Sequence, residues 1–286
     1  MSGDPSVRLF CLPFEGASAG VYLPWAEALG TSVVVTPVEL PGRGRHPRTR
    51  PCGRLEPLLA EIIPYVARMR DRPFALYGHG FGALLAYEIA ARLEWEYDAV
   101  AERLYVSGAG VPHRRAAPEH ALAQLPDAEL LRRLGRRGRI PPGALDPLRA
   151  PRVLPALRAD LAVLEAYRRD PRHVVHCPVT AMGGSEDPSV TGADLAGWRR
   201  CTRRPLRVDT VTGGHYFPLT ARWELLDTFS RDLMRPRVRA PRAVGGGRPL
   251  VPAGSVPRGP AAGPGTGNKS CPVSPASPSW PAEVTA

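Results

Sequence analysis

The sequence has no uninterrupted run of the ~18 to 20 apolar residues that a membrane-spanning helix requires, and no apolar signal region in Met1-Ser2-Gly3-Asp4-Pro5-Ser6-Val7-Arg8. A soluble cytoplasmic chain with no membrane partner is therefore expected. Its five cysteines, Cys11, Cys52, Cys177, Cys201 and Cys271, are odd in number and scattered, with no C-x-x-C pair and no histidine spacing suited to zinc. That pattern argues against a disulfide framework and a metal site, and leaves reduced, mostly structural thiols. Cys11 and Cys177 lie in strand-like runs, where a thiol serves as a small buried hydrophobe.

Acidic residues are also scarce: the net charge is +11. The excess is unevenly placed, because residues 235–286 carry seven basic side chains against one acid, Glu283, and so hold more than half of it. This argues against a nucleic-acid partner for the rest of the chain. The same stretch has 11 prolines and 8 glycines in 52 residues and almost no aliphatic periodicity. Such a composition buries too little apolar surface to offset the entropy of ordering, so a disordered tail from 235 to 286 is expected after a folded unit of residues 1–234.

Within that unit, apolar strand-like and helix-like segments alternate. Val7 to Pro13 reads as a strand that runs into the small-residue loop Glu15-Gly16-Ala17-Ser18-Ala19-Gly20; a helix with Trp25 follows, then a strand from Thr31 to Leu40. Leu55 to Arg70 has helical spacing, bent at Pro64. Phe74 to Tyr77 and Arg103 to Ser107 are further strands, with an apolar helix from Ala83 between them. The alternation resumes with strands at His176–Met182 and Leu206–Val211 and a closing helix from Trp223 to Met234. Together these predict an α/β fold with a mainly parallel central sheet and helices on both faces. From about 117 to 170 the pattern is helical only, Asp127–Leu134 and then Pro155–Arg169, separated by a glycine-rich, basic break; an insertion at this point suits a lid over a site. The run Arg132, Arg133, Arg136, Arg137 and Arg139 reads as a solvated face.

The turn between the third strand and its helix is Gly78-His79-Gly80-Phe81-Gly82. It matches G-x-S-x-G, the strained elbow that projects a nucleophilic serine over a sheet, except that Gly80 stands where the serine belongs. The spacing G-x-G-x-x-G and a following Lys-Ser/Thr are missing, which argues against a phosphate loop. Two later loops at strand ends carry reactive side chains: Gly183-Gly184-Ser185-Glu186-Asp187-Pro188 and Gly213-Gly214-His215-Tyr216-Phe217. Elbow, acid, histidine is the chain order of an α/β hydrolase.

With these motifs the chain resembles the type II thioesterases of polyketide and nonribosomal peptide assembly lines, over about residues 7–234. The resemblance is carried by Leu9-Phe10-Cys11-Leu12-Pro13 with Trp25, Glu39-Leu40-Pro41-Gly42-Arg43-Gly44, the elbow frame, Leu125-Pro126-Asp127, Leu154 to Asp160, Gly183-Gly184 with Asp187-Pro188, Trp198-Arg199 and Gly213 to Phe217. It implies an α/β-hydrolase fold with a helical lid, and a monomer that needs no cofactor of its own. It also implies an acyl substrate held on the phosphopantetheine arm of an acyl or peptidyl carrier protein. By the same resemblance His215 is the base, Asp187 orients it, Gly80 marks the nucleophile's position, and the oxyanion hole uses the backbone N–H of Phe81 and one near Glu15.

Two residues depart from that pattern: Gly80 has no hydroxyl, and Glu15 stands where the family carries a small apolar residue. Glu15 reads as solvated at the loop surface, and the space left by Gly80 as a void in which His215 and Asp187 could activate a water for slow hydrolysis. A non-hydrolytic cyclisation or acid–base step with His215 and Glu15 is an alternative, and an inactive binding partner of the carrier protein is a second. Cys11 and Ser18 are the nearest surrogate nucleophiles in the sequence. His79 reads as a packing or hydrogen-bonding residue.

Overall fold

The computed structural model describes residues 6–111 and 122–234; the expected tail, 235–286, and the first part of the expected lid, 117–121, lie outside the described residues. Six strands form one sheet in the order β2-β1-β3-β4-β5-β6, all parallel. They are β1 (Val7–Leu12), β2 (Val33–Pro37), β3 (Phe74–His79), β4 (Leu104–Ser107), β5 (Val179–Gly184) and β6 (Leu206–Val211). Each crossover between neighbours carries helix, as parallel pairing requires. The helices are α1 (Leu23–Leu29), α2 (Leu55–Arg68), α3 (Phe81–Tyr97), α4 (Asp127–Gly135), α5 (Ala150–Ala166), α6 (Gly192–Ala196), α7 (Phe217–Thr220) and α8 (Arg222–Leu233).

The period-2 geometry of a strand sorts its side chains between two cores. Phe10 and Leu12 of β1, with Phe74 and Leu76 of β3, pack with α2 and α3 on one face; Val7, Leu9 and Cys11, with Ala75 and Tyr77, pack with Trp25, Leu225 and Phe229 of α1 and α8 on the other. All four cysteines among the described residues are buried free thiols. Helix α3 is buried around most of its circumference over its first three turns, as expected for a helix enclosed between the sheet and its neighbours.

In the chain between β4 and β5, which pair directly in the sheet, come α4 and α5, which share a small core of Leu130, Leu134, Leu157 and Leu161. Arg158 of α5 ties the pair together by donating to the Ala123 carbonyl at 2.7 Å and to Asp127 at the start of α4. Helix α5 begins at Ala150, five residues before the position read from sequence, and Pro155 lies inside it. A proline suits the first turn of a helix because its missing N–H has no acceptor there; Pro151 takes that place, so Pro155 is not the start. Pro64 likewise lies inside a continuous α2.

Candidate active site

The turn that joins β3 to α3 has the geometry of a nucleophile elbow although it carries no nucleophile. Gly80 has φ 55° and ψ −115°, a conformation that side-chain-bearing residues adopt only under strain. Its N–H donates to the Ser107 carbonyl of β4 at 2.9 Å, and its carbonyl accepts from Ala83 at 3.1 Å. The glycines on either side are required by close approach: a Cβ on Gly78 would lie 1.9 Å from the Gly82 carbonyl oxygen, and one on Gly82 would lie 2.2 Å from that of Leu12. Phe81 opens α3, so its N–H belongs to the first helical turn, whose amides have no acceptor within the helix.

The acid and the histidine come from the next strand ends and meet. Asp187 follows β5 and His215 follows β6; Asp187 Oδ2 lies 2.7 Å from His215 Nδ1, and both side chains are fully buried. The other carboxylate oxygen, Oδ1, accepts from the Ser189 amide at 2.8 Å and the Ser189 hydroxyl at 2.6 Å. Burial pushes the Asp187 carboxyl up, but the His215 and Ser189 hydrogen bonds outweigh it and hold the group down at about 2. The two loops are laced by backbone bonds from Ser185 to Val211 and from Glu186 to Gly213. His215 Nε2, on the far side of the ring, is buried with no hydrogen-bond partner.

Around this pair are aromatic rings. His79 lies 4.9 Å from the His215 ring and Tyr216 lies 5.1 Å from it, centroid to centroid. His79 is a hydrogen-bonding residue, with Nδ1 2.9 Å from the Ser107 hydroxyl. Burial, with His215 and Arg139 nearby, pushes its pKa well down, so the ring is neutral at physiological pH.

Glu15 is not at the surface. It is 4% exposed, and its carboxylate fills the space beside Gly80: a Cβ built on Gly80 would lie 2.3 Å from Glu15 Oε2. The space read from sequence as a void for water is therefore occupied by a protein carboxylate. Oε1 accepts from Arg139 Nη2 at 2.6 Å, whereas Oε2 is buried without a partner. Arg139 lies in the segment between α4 and α5, and its own carbonyl accepts from the Tyr216 hydroxyl at 3.1 Å. One member of the arginine run is therefore a contact of the site rather than part of a solvated face.

The loop that carries Glu15 is fixed by a second buried charge pair. Arg43 and Asp160 meet through two hydrogen bonds of 2.7 Å; Asp160 also accepts from the Gly16 amide at 2.9 Å, and Arg43 donates to the Ala17 carbonyl at 3.2 Å. Desolvation pushes the Asp160 carboxyl up, and the Arg43 charge and hydrogen bonds oppose it. Both residues stand in motifs noted in the sequence, but nothing in their spacing indicates that they pair.

A cavity of about 200 Å³ opens onto this centre, lined by Glu15, Gly80, Leu84, Arg139, Tyr167 and Val190 among others. Of the surrogate nucleophiles, Cys11 is fully buried in the core and burial pushes its thiol well up, away from the reactive thiolate. Among the described residues no group of three or more His, Cys, Asp or Glu side chains could hold a metal ion, and no helix is long and apolar enough to cross a membrane.

The fold and this arrangement of strand-end loops are those of an α/β hydrolase, and the chain belongs to the thioesterase family: the thioesterase domain model matches residues 7–233. Among its relatives, thioesterase PikA5 of Streptomyces venezuelae is 34% identical over 82% of this chain and 83% of its own length. The gramicidin S biosynthesis protein GrsT of Aneurinibacillus migulanus is 28% identical over 79% of this chain and 89% of its own. Among solved structures, the type II thioesterase BorB from the borrelidin biosynthetic cluster superposes with a TM-score of 0.72 at 33% identity, covering 80% of this chain and 93% of that one.

Proposed function

We propose that the protein has a thioesterase role in secondary metabolism and hydrolyses acyl thioesters presented on the phosphopantetheine arm of an acyl or peptidyl carrier protein. The observation that carries this reading is the buried Asp187–His215 pair, joined at 2.7 Å, with the sharp strand-to-helix turn at Gly80 in the same site. A protein that only binds a carrier has no chemical need for an ionised carboxylate aligned on a histidine. The kinship to thioesterases of antibiotic-type pathways supports the substrate class.

In this reading Asp187 fixes the His215 ring so that Nε2 points toward the reacting centre, where it takes a proton from water. The first-turn N–H of Phe81 and the backbone N–H of Glu15 receive the oxyanion as the thioester carbonyl is attacked. Helices α4 and α5 act as the lid that admits the pantetheine arm to the cavity. The protein supplies no cofactor; the substrate brings its own tether.

The test is release of free thiol from acyl-pantetheine and from acyl-loaded carrier proteins, with the organic product identified by mass spectrometry. Wild type is expected to release thiol and carboxylic acid together, and His215→Ala to lose about 10²-fold or more of the rate, the usual contribution of a positioned base. A cyclised or rearranged product in place of the acid assigns the site to non-hydrolytic acid–base chemistry. No turnover above the His215→Ala level on any carrier substrate leaves a binding role.

A further inference from the structure

The nucleophile's seat is occupied, and its occupant is itself a nucleophile. We infer that the Glu15 carboxylate takes over the covalent step from the missing serine; this rests on the thioester hydrolysis proposed above. Three features of the site support it. Glu15 Oε2 lies 2.3 Å from where a Cβ of residue 80 would be, which is the place from which an elbow side chain attacks a carbonyl held against the N–H of Phe81. That oxygen is buried and without a hydrogen-bond partner, so its lone pairs are committed to nothing else. Glu15 and Gly80 both line the cavity, which places the residue at the wall a ligand would meet.

Arg139 makes the carboxylate suited to both halves of such a reaction. It holds Oε1 at 2.6 Å and leaves Oε2 free, which orients the attacking oxygen. It also offsets the cost of keeping a charged carboxylate at 4% exposure. When the carboxylate later departs as a leaving group, the same guanidinium stabilises the returning charge. Carboxylates are established covalent nucleophiles where the site orients them in this way.

The steps balance without a co-reactant other than water. A lone pair on Glu15 Oε2 attacks the thioester carbonyl carbon; the tetrahedral oxyanion collapses, the C–S bond breaks with its electron pair on sulfur, and the thiolate takes a proton from solvent. This leaves a mixed anhydride between Glu15 and the acyl group. Water then attacks the substrate's acyl carbonyl in the anhydride while His215 Nε2 takes its proton; the acyl C–O bond breaks, its pair returns to the Glu15 carboxylate, and His215 releases the proton to solvent. The sum is thioester plus water giving carboxylic acid plus thiol. Glycine at position 80 leaves the attacking oxygen in place, because a Cβ there would lie 2.3 Å from it and push the carboxylate aside.

The experiment is a rapid borohydride quench of the full-length wild-type protein mixed with acyl-pantetheine, followed by peptide mapping, alongside thiol release by wild type, His215→Ala and Glu15→Gln. The expected result is reduction of the residue-15 carboxyl to an alcohol only when thioester is present, with Glu15→Gln slower by about 10³-fold or more, the order seen when a nucleophile is removed. The quench acts on the unaltered protein, so it stands even if the variant folds poorly. A residue-15 alcohol formed with a single burst of thiol and no further turnover also supports the inference, placing the slow step at anhydride breakdown. Hydrolysis that persists in Glu15→Gln, with no alcohol at residue 15 in wild type, overturns the role of Glu15 and leaves the hydrolase reading standing. Neither trapping nor turnover above His215→Ala overturns both.

Discussion

The two halves of the candidate site differ in how closely they follow the elbow, acid, histidine pattern of an α/β hydrolase. The candidate acid–base half, Asp187 and His215, consists of two strand-end loops laced by backbone bonds and a 2.7 Å contact. At the elbow Gly80 presents no side chain, and the carboxylate of Glu15, from a different loop, stands beside it with Arg139 on it. The comparison teaches that the glycine at position 80 does not stand alone. A lone Ser-to-Gly change leaves a hole, whereas here the space is filled by a charged group that two other elements hold in position.

The largest expected effect tests the first half. Asp187→Asn should lower thiol release by up to about 10⁴-fold with little change in the circular dichroism spectrum, because the histidine loses its orientation and tautomer while the fold stays intact. A small effect would mean that the pair does not take part in the reaction. The next tests what holds the second half in place: Arg43→Ala leaves Asp160 buried without its counter-charge, and should cost about 3 to 5 kcal/mol in denaturant unfolding.

A third prediction addresses the exchange itself. Gly80→Ser alone should gain little activity, since its Cβ meets Glu15 and its backbone is strained by about 1 to 3 kcal/mol. Combined with Glu15→Ala, the same serine should recover a trappable acyl-enzyme, and a double-mutant cycle of thiol-release rates should give a coupling of about 1 to 3 kcal/mol. Additive behaviour would show that the two positions are independent.

The smallest effect concerns pH. The Asp187 carboxyl is held below its unfolded value of about 3.9, at about 2 in the folded protein. Its contribution to stability, roughly 2 kcal/mol at most, is therefore fully present above pH ~4 and lost as pH falls toward 2. The stability difference between wild type and Asp187→Asn, followed by urea unfolding, should shrink over that window and be flat above it.

Much of the fold was legible because its signals are local. The alternation in β1 and β3 sorts Phe10 and Leu12 from Leu9 and Cys11 within six residues, and Gly80, Asp187 and His215 were each marked by glycine-bearing loops directly after strands. Boundaries were less legible: the spacing starts the second helix of the insertion at Pro155, whereas α5 begins at Ala150 with Pro151 in its first turn. What could not be read was the direction of side chains in loops. Glu15 in a small-residue loop resembles any solvated acid, and its burial depends on Arg139, 124 positions away, and on the Arg43–Asp160 pair, separated by 117. Arg139 was hidden by its own neighbours, since a run of arginines gives no sign of which member turns inward.

The contact between Glu15 and Gly80 also bears on how such a protein could change over generations. A serine introduced at position 80 by a single codon change would arrive in an occupied seat, and a small residue introduced at position 15 would leave the elbow bare. Placing a free hydroxyl at the elbow therefore takes both changes together, so the two positions are open to exchange only as a pair.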